Sequence, residues 1–259
     1  MLRTRTLSAV LLLAGSLAAQ ASGLRVTPLR LDLSARQTTT QVELANLGPA
    51  GVPVQISAFA WTQENGRDVY TPTKDIFFAP PIVSVPANGK SLVRFRLRGA
   101  APKTGERAYR VYFQEVAAPQ AQAQTGMSFR LRFGVPVFVS ASKPGGAKLG
   151  VEWSRESDAL RLVLTNTGSA HLKIEGLELY PGDIDREKLG GEPVARTTHS
   201  SAGANYLLPG SRHDWAIPLA VAQVLEQHVL LIRTDDYSGR VAQGATPRGW
   251  VWQEFPPAR

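Results

Sequence analysis

From residue 25 onward, apolar and polar positions follow one another with a period of two. Apolar residues alternate with polar ones, or gather in short β-branched and aromatic runs, over 25–33, 39–46, 52–61, 91–97, 108–116 and 129–139. A period of two is that of a strand with one buried face, since successive side chains point to opposite sides. Turn signals separate the runs: Asn46-Leu47-Gly48-Pro49, Glu64-Asn65-Gly66 and Pro86-Ala87-Asn88-Gly89. Short strands at this spacing predict an antiparallel sandwich of the immunoglobulin type over residues 22–141. Residues 140–147 are rich in Ser, Pro and Gly, which is linker composition, and the linker proper is placed at 142–147. A second series of runs, at 149–154, 160–165, 171–180, 212–217, 229–234 and 249–255, predicts a smaller β-domain over 148–259. Only 220–228 reads as a helix, and the polar, glycine-rich stretch 183–203 reads as a long loop.

One run stands apart. Across residues 126–139, Met127, Phe129, Leu131 and Phe133 share one parity, while Ser128, Arg130, Arg132 and Gly134 share the other. An extended segment of this kind has a row of large apolar side chains backed by a cationic row. The glutamine- and alanine-rich stretch before it, 117–126, lets such a strand lie at a sheet edge. An edge strand with apolar knobs suits pairing with another protein's backbone. Pattern alone leaves a second reading open, in which the apolar row faces this domain's own core.

Charge and composition narrow the function classes. Lys and Arg number 29 against 21 Asp and Glu, a formal net charge of +8. Arg3 and Arg5, the apolar stretch 7–17 and the small-x-small site Ala19-Gln20-Ala21 predict a cleaved export signal at 1–21. The apolar stretch is shorter than the roughly 20 residues of a membrane span. What remains can form two domains of roughly 100–150 residues. There is no cysteine, so an exported chain must rely on packing, and thiolate metal sites and cysteine catalysis are excluded. For an exported chain with no long basic run, acidic or carboxylate-bearing protein partners fit the positive charge better than nucleic acid does.

The order of several segments resembles the periplasmic pilus-assembly chaperones, the PapD-like family. They are Leu29-Arg30-Leu31-Asp32-Leu33, the run from Thr39 to Asn46, Pro86-Ala87-Asn88-Gly89 leading to Val93-Arg94-Phe95, and the run from Glu106 to Val116. In the second half they are Leu164-Thr165-Asn166-Thr167-Gly168 and Ile232 to Gly239. The key strand departs from the classical pattern, reading Arg132-Phe133-Gly134-Val135-Pro136-Val137-Phe138-Val139. That form resembles the divergent branch serving spore-coat-U-type pilins. The resemblance implies an all-β fold of two immunoglobulin-like β-sandwich domains in a boomerang arrangement with a cleft between them.

The mechanism it implies is donor-strand complementation in the periplasm. The chaperone lends a strand to a pilus subunit that lacks one, then delivers the capped subunit to an outer-membrane usher. Met127, Phe129, Leu131 and Phe133 become the residues that fill the subunit's groove. Arg30 and Arg132, with Arg130 as the alternative to Arg132, become the anchor for its C-terminal carboxylate. No cofactor, metal, small-molecule substrate or nucleic acid is implied, and self-association of the free chaperone stays open. Tyr109 and Tyr112 read as packing residues, as do Trp61, Trp153, Trp215, Trp250 and Trp252. Two other non-enzymatic readings share the architecture. A pilus subunit or adhesin would carry an N-terminal donor extension, and a two-domain carbohydrate-binding module would need an exposed aromatic platform. Catalysis is disfavoured: Ser211, His213 and Asp214 lie too close on one strand for a triad, and the four histidines show no zinc spacing.

Overall fold

The computed structural model describes residues 23–116, 130–143, 145–156, 158–183, 192–197, 205–219, 228–234, 245–246 and 250–255. The predicted signal at 1–21, Met127, Phe129 and all of the predicted helix except His228 lie outside them. Among the described residues there are 19 strands and no helix.

The first ten strands are β1 (Leu24–Thr27), β2 (Leu31–Ser34), β3 (Thr39–Asn46), β4 (Val52–Glu64), β5 (Arg67–Pro72), β6 (Ile76–Ala79), β7 (Ile82–Val85), β8 (Lys90–Leu97), β9 (Glu106–Glu115) and β10 (Arg132–Ser140). They form two facing sheets. One has the order β1-β3-β8-β6; the other runs β2-β10-β9-β4-β5, with β7 also on β4. Val42, Leu44, Val93 and Phe95 from the first sheet meet Val111, Phe113, Val135 and Val137 from the second in one core.

The single strand predicted over 25–33 is in fact two, one in each sheet: β1 pairs with β3, and β2 pairs with β10. Two features divide them. Pro28 has no N–H for a ladder, and the buried parity changes from Leu24 and Val26 to Leu31 and Leu33. A strand that keeps one sheet keeps its parity, so the switch carries the chain from one sheet to the other.

The remaining strands are β11 (Leu149–Arg155), β12 (Ala159–Asn166), β13 (Leu172–Pro181), β14 (Ala195–Thr197), β15 (Tyr206–Leu207), β16 (Arg212–Pro218), β17 (His228–Thr234), β18 (Ala245–Thr246) and β19 (Trp250–Phe255). They make sheets ordered β11-β12-β16 and β14-β13-β17-β19-β18, with β15 on β13. Leu160, Leu162, Leu164, Leu177, Trp215 and Ile232 fill the core between them. Part of the stretch read as loop is β14, whose residues pair with Leu177–Leu179.

The two sandwiches use the same corner twice. Asn46-x-Gly48-x-Ala50 closes β3, and Asn166-x-Gly168-x-Ala170 closes β12. Each asparagine is buried, accepts from the glycine N–H two residues on, and donates to the alanine carbonyl four residues on, at 2.7 Å and 2.8 Å respectively. Asn46 also reaches the Pro86 carbonyl and Asn166 the Leu207 carbonyl, tying each corner to a distant strand.

A third, small cluster joins the sandwiches. Trp61 and Phe138 of the first pack with Leu208 of the second, flanked by Tyr70, Ala108 and Tyr206. Gln63 donates to the Tyr206 carbonyl at 2.8 Å and accepts from the Leu208 N–H at 2.9 Å. His171 Nδ1 lies 2.8 Å from Glu106 Oε1, both side chains nearly buried, and the His171 ring stacks on Phe138 at 3.4 Å.

Candidate functional site

Strand β10 is paired along one side with β9 from Arg132 to Ser140. On its other side β2 covers only Val137–Ser140, in parallel. Among the described residues, nothing pairs with the outer side of residues 132–136, so half of β10 is a sheet edge and half is not. The free edge stops where β2 begins. Arg30 immediately precedes that point, since Leu31 is registered against Val137.

The face of this sheet turned away from its core carries a cationic and aromatic surface. In β9 the buried residues Tyr109, Val111, Phe113 and Glu115 alternate with Arg110, Tyr112 and Gln114. Arg110 lies opposite Pro136 of β10 and Phe59 of β4. Its guanidinium carbon sits 4.1 Å from the Trp61 ring centroid and about 6 Å from those of Tyr70 and Tyr206. Its hydrogen bonds are long, 3.5 Å to the Gly134 carbonyl and 3.5 Å to Tyr70 Oη, and its Nε has no partner. No carboxylate among the described residues pairs with it. Arginine so placed has aromatic support and unspent donors.

Arg132 is exposed and its guanidinium carbon sits over Tyr112, 3.9 Å from the ring centroid. Tyr112 in turn meets Phe59 and Tyr70 edge to face. Arg30 is more occupied. Its Nε donates to both carboxylate oxygens of Asp32 at 3.1 and 3.0 Å, and its guanidinium stands 5.8 Å from the Phe138 ring. The Tyr70 phenol has its pKa raised above the ordinary value, mainly by burial; Arg110 works against the rise and the hydrogen bond to Asp68 adds to it. Tyr70 therefore stays a neutral donor beside the cations.

Gly134 is what lets this surface lie flat. A Cβ there would come 2.9 Å from Tyr112 Cε1 and 3.3 Å from Arg110 Cδ. The glycine in the key strand, the departure noted in the sequence, is the space those two side chains occupy.

A sequence-family comparison identifies residues 23–144 with the pili and flagellar-assembly chaperones, PapD N-terminal domain. Residues 23–144 thus match a PapD N-terminal domain. No curated protein matches its sequence. Among solved structures, the chain resembles that of the CsuC–CsuE chaperone–tip adhesion subunit pre-assembly complex from archaic chaperone-usher Csu pili of Acinetobacter baumannii. The match has 20% identity and a TM-score of 0.57, and covers 91% of this chain and 99% of the other. The Pseudomonas aeruginosa CupB2 chaperone matches at 15% identity and TM-score 0.54, over 90% and 100% of the two chains. The Salmonella enterica SafA pilin–SafB chaperone complex matches at 16% and 0.52, over 85% and 93%. At these identities the likeness is one of fold: two immunoglobulin-like sandwiches.

Within the PapD-type domain, the residues singled out from sequence fall as follows. Arg30 and Arg132 lie on the same side of one sheet, and Arg110 of the next strand, β9, shares that side. Arg130 is exposed and precedes β10. Leu131 is half-buried, and its N–H donates to Glu115 Oε2 at 3.3 Å. Phe133 is half-buried against the domain's own core. Met127 and Phe129 lie outside the described residues. Tyr109 is core, its phenol bonded to Asp75, whereas Tyr112 belongs to the cationic face. Arg110 was missed in the sequence, although it stands out of phase with its buried neighbours Tyr109, Val111 and Phe113. That parity could have placed it on the outer face; its aromatic surroundings could not have been read, since Trp61, Tyr70 and Tyr206 come from three other strands.

Trp61 and Trp215 are buried and Trp153 sits on edge strand β11 beside Arg155, so these three make no shared aromatic platform. His213 points into the second core and Asp214 outward, on opposite faces of β16.

Proposed function

We propose that this protein is a periplasmic chaperone for pilus subunits, which it holds by lending them the free edge of β10 and its N-terminal continuation. The observation that carries the reading is the half-covered edge ending at a cluster of arginines. A subunit strand added along residues 132–136, parallel to β10 as β2 is, would run its C-terminal end toward the corner where β2 blocks the edge. Arg30 and Arg110 flank that corner, and Arg132 stands on the same sheet face at the other end of the open edge. A terminal carboxylate there would meet guanidinium groups able to donate two parallel bonds. Anchoring the last residue also sets the register, because a slip of one position turns every apolar side chain to the wrong face.

Met127, Phe129 and Leu131 are the residues we assign to the subunit's open groove, with Phe133 shared with the chaperone's own core. Each such side chain, if fully buried, contributes roughly 1.5–3 kcal/mol before ordering costs. For the anchor we rank Arg110 and Arg132 above Arg30, because Arg30 already has Asp32. Residues 22–141 and 148–259 are taken as the two domains and 142–147 as their linker. Export by cleavage after residue 21, delivery to an outer-membrane usher, and a client of the spore-coat-U type complete the proposal. The last rests on the Gly134-Val135-Pro136 pattern.

The test is co-purification with the candidate pilin from the periplasm, for wild type and for Arg30→Ala, Arg110→Ala and Arg132→Ala, each checked for folding by circular dichroism. Loss of one charge-assisted bond worth about 1.5–3 kcal/mol weakens binding roughly ten- to hundredfold. Arg110→Ala and Arg132→Ala are expected to lose the complex and Arg30→Ala to weaken it less. A pilin with its terminal carboxylate amidated should mimic the arginine losses. Survival of the complex in all three variants rejects the anchor; absence of any complex with wild type rejects the chaperone reading.

A further inference from the structure

The opposite sheet of the first domain carries a second cationic surface, remote from the client edge. On β8, Val93, Phe95 and Leu97 point into the core, and Arg94 and Arg96 point out, followed by exposed Arg98. Alternate residues of a strand lie about 7 Å apart, so Arg94 and Arg96 follow one another along one face, with Arg98 just past the strand's end. Arg96 is registered against Phe77 of β6 on one side and Thr39 of β3 on the other, and Arg94 against Ala79 and Gln41. Phe77 is 42% exposed, a large ring left in solvent at a sheet surface. Arg96 and Arg98 lean over it, 5.9 and 5.6 Å from its centroid. Phe77, Arg94 and Arg96, with Thr39 and Thr40, border a shallow groove of about 480 Å³.

Among the described residues no carboxylate pairs with Arg94, Arg96 or Arg98. The one acid on the neighbouring strand face, Glu43, is 2.8 Å from Lys90. Like charges set side by side on a sheet cost stability rather than add to it. A three-arginine cluster around an exposed ring is therefore an expense in folding that a ligand would offset. Its ring supports the guanidiniums, which reduces the freedom they lose on binding.

We propose that this face docks an extended acidic segment of a protein partner, distinct from the client held at β10. The repeat decides the occupant. Carboxylates on alternate residues of an extended chain recur at the same spacing of about 7 Å, so such a segment laid along β8 brings one carboxylate to each arginine. An apolar side chain within it would cover Phe77. The surface is on the sheet that contains neither β9 nor β10, so a partner there and a client at β10 are compatible on one molecule.

The probe is a fluorescent peptide of about ten residues alternating Glu and Val, with its Gln counterpart, titrated by anisotropy against the mature protein. The test variant is Arg94→Ser/Arg96→Ser/Arg98→Ser. The control, Lys103→Ser/Lys143→Ser/Lys173→Ser, removes the same charge elsewhere. The arginine triple should weaken binding of the acidic peptide at least about tenfold, the lysine triple by less than about threefold, and Phe77→Ser should weaken it measurably at unchanged net charge. Added salt should reduce binding. Where the triple fails to fold, Arg96→Ser alone is read, with the same direction expected. Equal losses in the two triples, or equal binding of the Gln peptide, overturn the proposal. So does arginine-dependent binding to phosphatidylglycerol vesicles without peptide binding, which would assign the face to a membrane surface. Any of these leaves the client reading intact, because that is tested on Arg110 and Arg132.

Discussion

At the scale of single residues, Asn46 and Asn166 do the most for stability that can be read directly. Each closes a corner with its side-chain oxygen and amide both used and no water access. Replacing either by Ala leaves backbone N–H and C=O groups unpaired inside the protein, a larger effect than the net value of the bonds themselves. Asn46→Ala and Asn166→Ala should each cost about 2–4 kcal/mol, read as a lower urea midpoint at unchanged m-value. Both positions were legible as turns because Asn-x-Gly is turn chemistry; that they are quasi-equivalent corners of two sandwiches became visible only in their partners. Tyr180 supplies a pH prediction. Burial, and then its hydrogen bond to Glu178, raise its phenol to about 12. The unfolded phenol titrates near 10, so its contribution to stability is complete below about pH 10 and is lost as pH rises through about 12. Tyr180→Phe should flatten the alkaline fall in stability over that window, measured by urea unfolding at a series of pH values.

At the scale of elements, β10 is defined by what pairs with it. The alternation of its side chains was plain in the sequence, but whether its edge was free was not, because edge status belongs to the neighbours. Here β2 covers half of it and leaves the other half open. The same crossing of the first strand from one sheet to the other that places β2 there also puts Arg30 at the end of the open half. Gly134 tests the face of this strand. Gly134→Val would push Tyr112 and Arg110 off the sheet, and we expect it to reduce pilin retention by about tenfold or more, comparable to losing one charge-assisted bond. Circular dichroism should show the fold retained. Retention equal to wild type would mean that the flat packing of Arg110 and Tyr112 is not needed for binding.

At the scale of the whole molecule, the two sandwiches are coupled by a few specific groups rather than by a broad apolar interface. Trp61, Phe138 and Leu208 form the apolar part, while Gln63 bridges to Tyr206 and Leu208, and His171 meets Glu106. Phe138 belongs to β10 and stacks on His171, so the strand that carries the candidate site also helps set the relative position of the domains. Gln63→Ala removes two bonds across the junction, each worth about 0.5–1.5 kcal/mol. Small-angle scattering should then report a broader distribution of molecular dimensions, with each sandwich still folded. An unchanged profile would mean that the apolar cluster alone fixes the junction.

The alternation of apolar and polar residues determined by itself that this chain is all-β and built as two sandwiches, because a period of two is set by local backbone geometry and survives in the one-dimensional record. The order of motifs was enough to point to the family, and the parity of Arg130 and Arg132 against Met127, Phe129, Leu131 and Phe133 was enough to separate two faces of one strand. What the tertiary structure alone decided was which groups share a place. Arg110 gains its surroundings from Trp61, Tyr70 and Tyr206, which lie tens of residues away on other strands. Arg30 loses some of its availability to Asp32, and Arg94, Arg96 and Arg98 become a surface only beside Phe77. Strand periodicity is local, whereas electrostatic and aromatic surroundings are made by strands that the sheet order, not the sequence order, brings together.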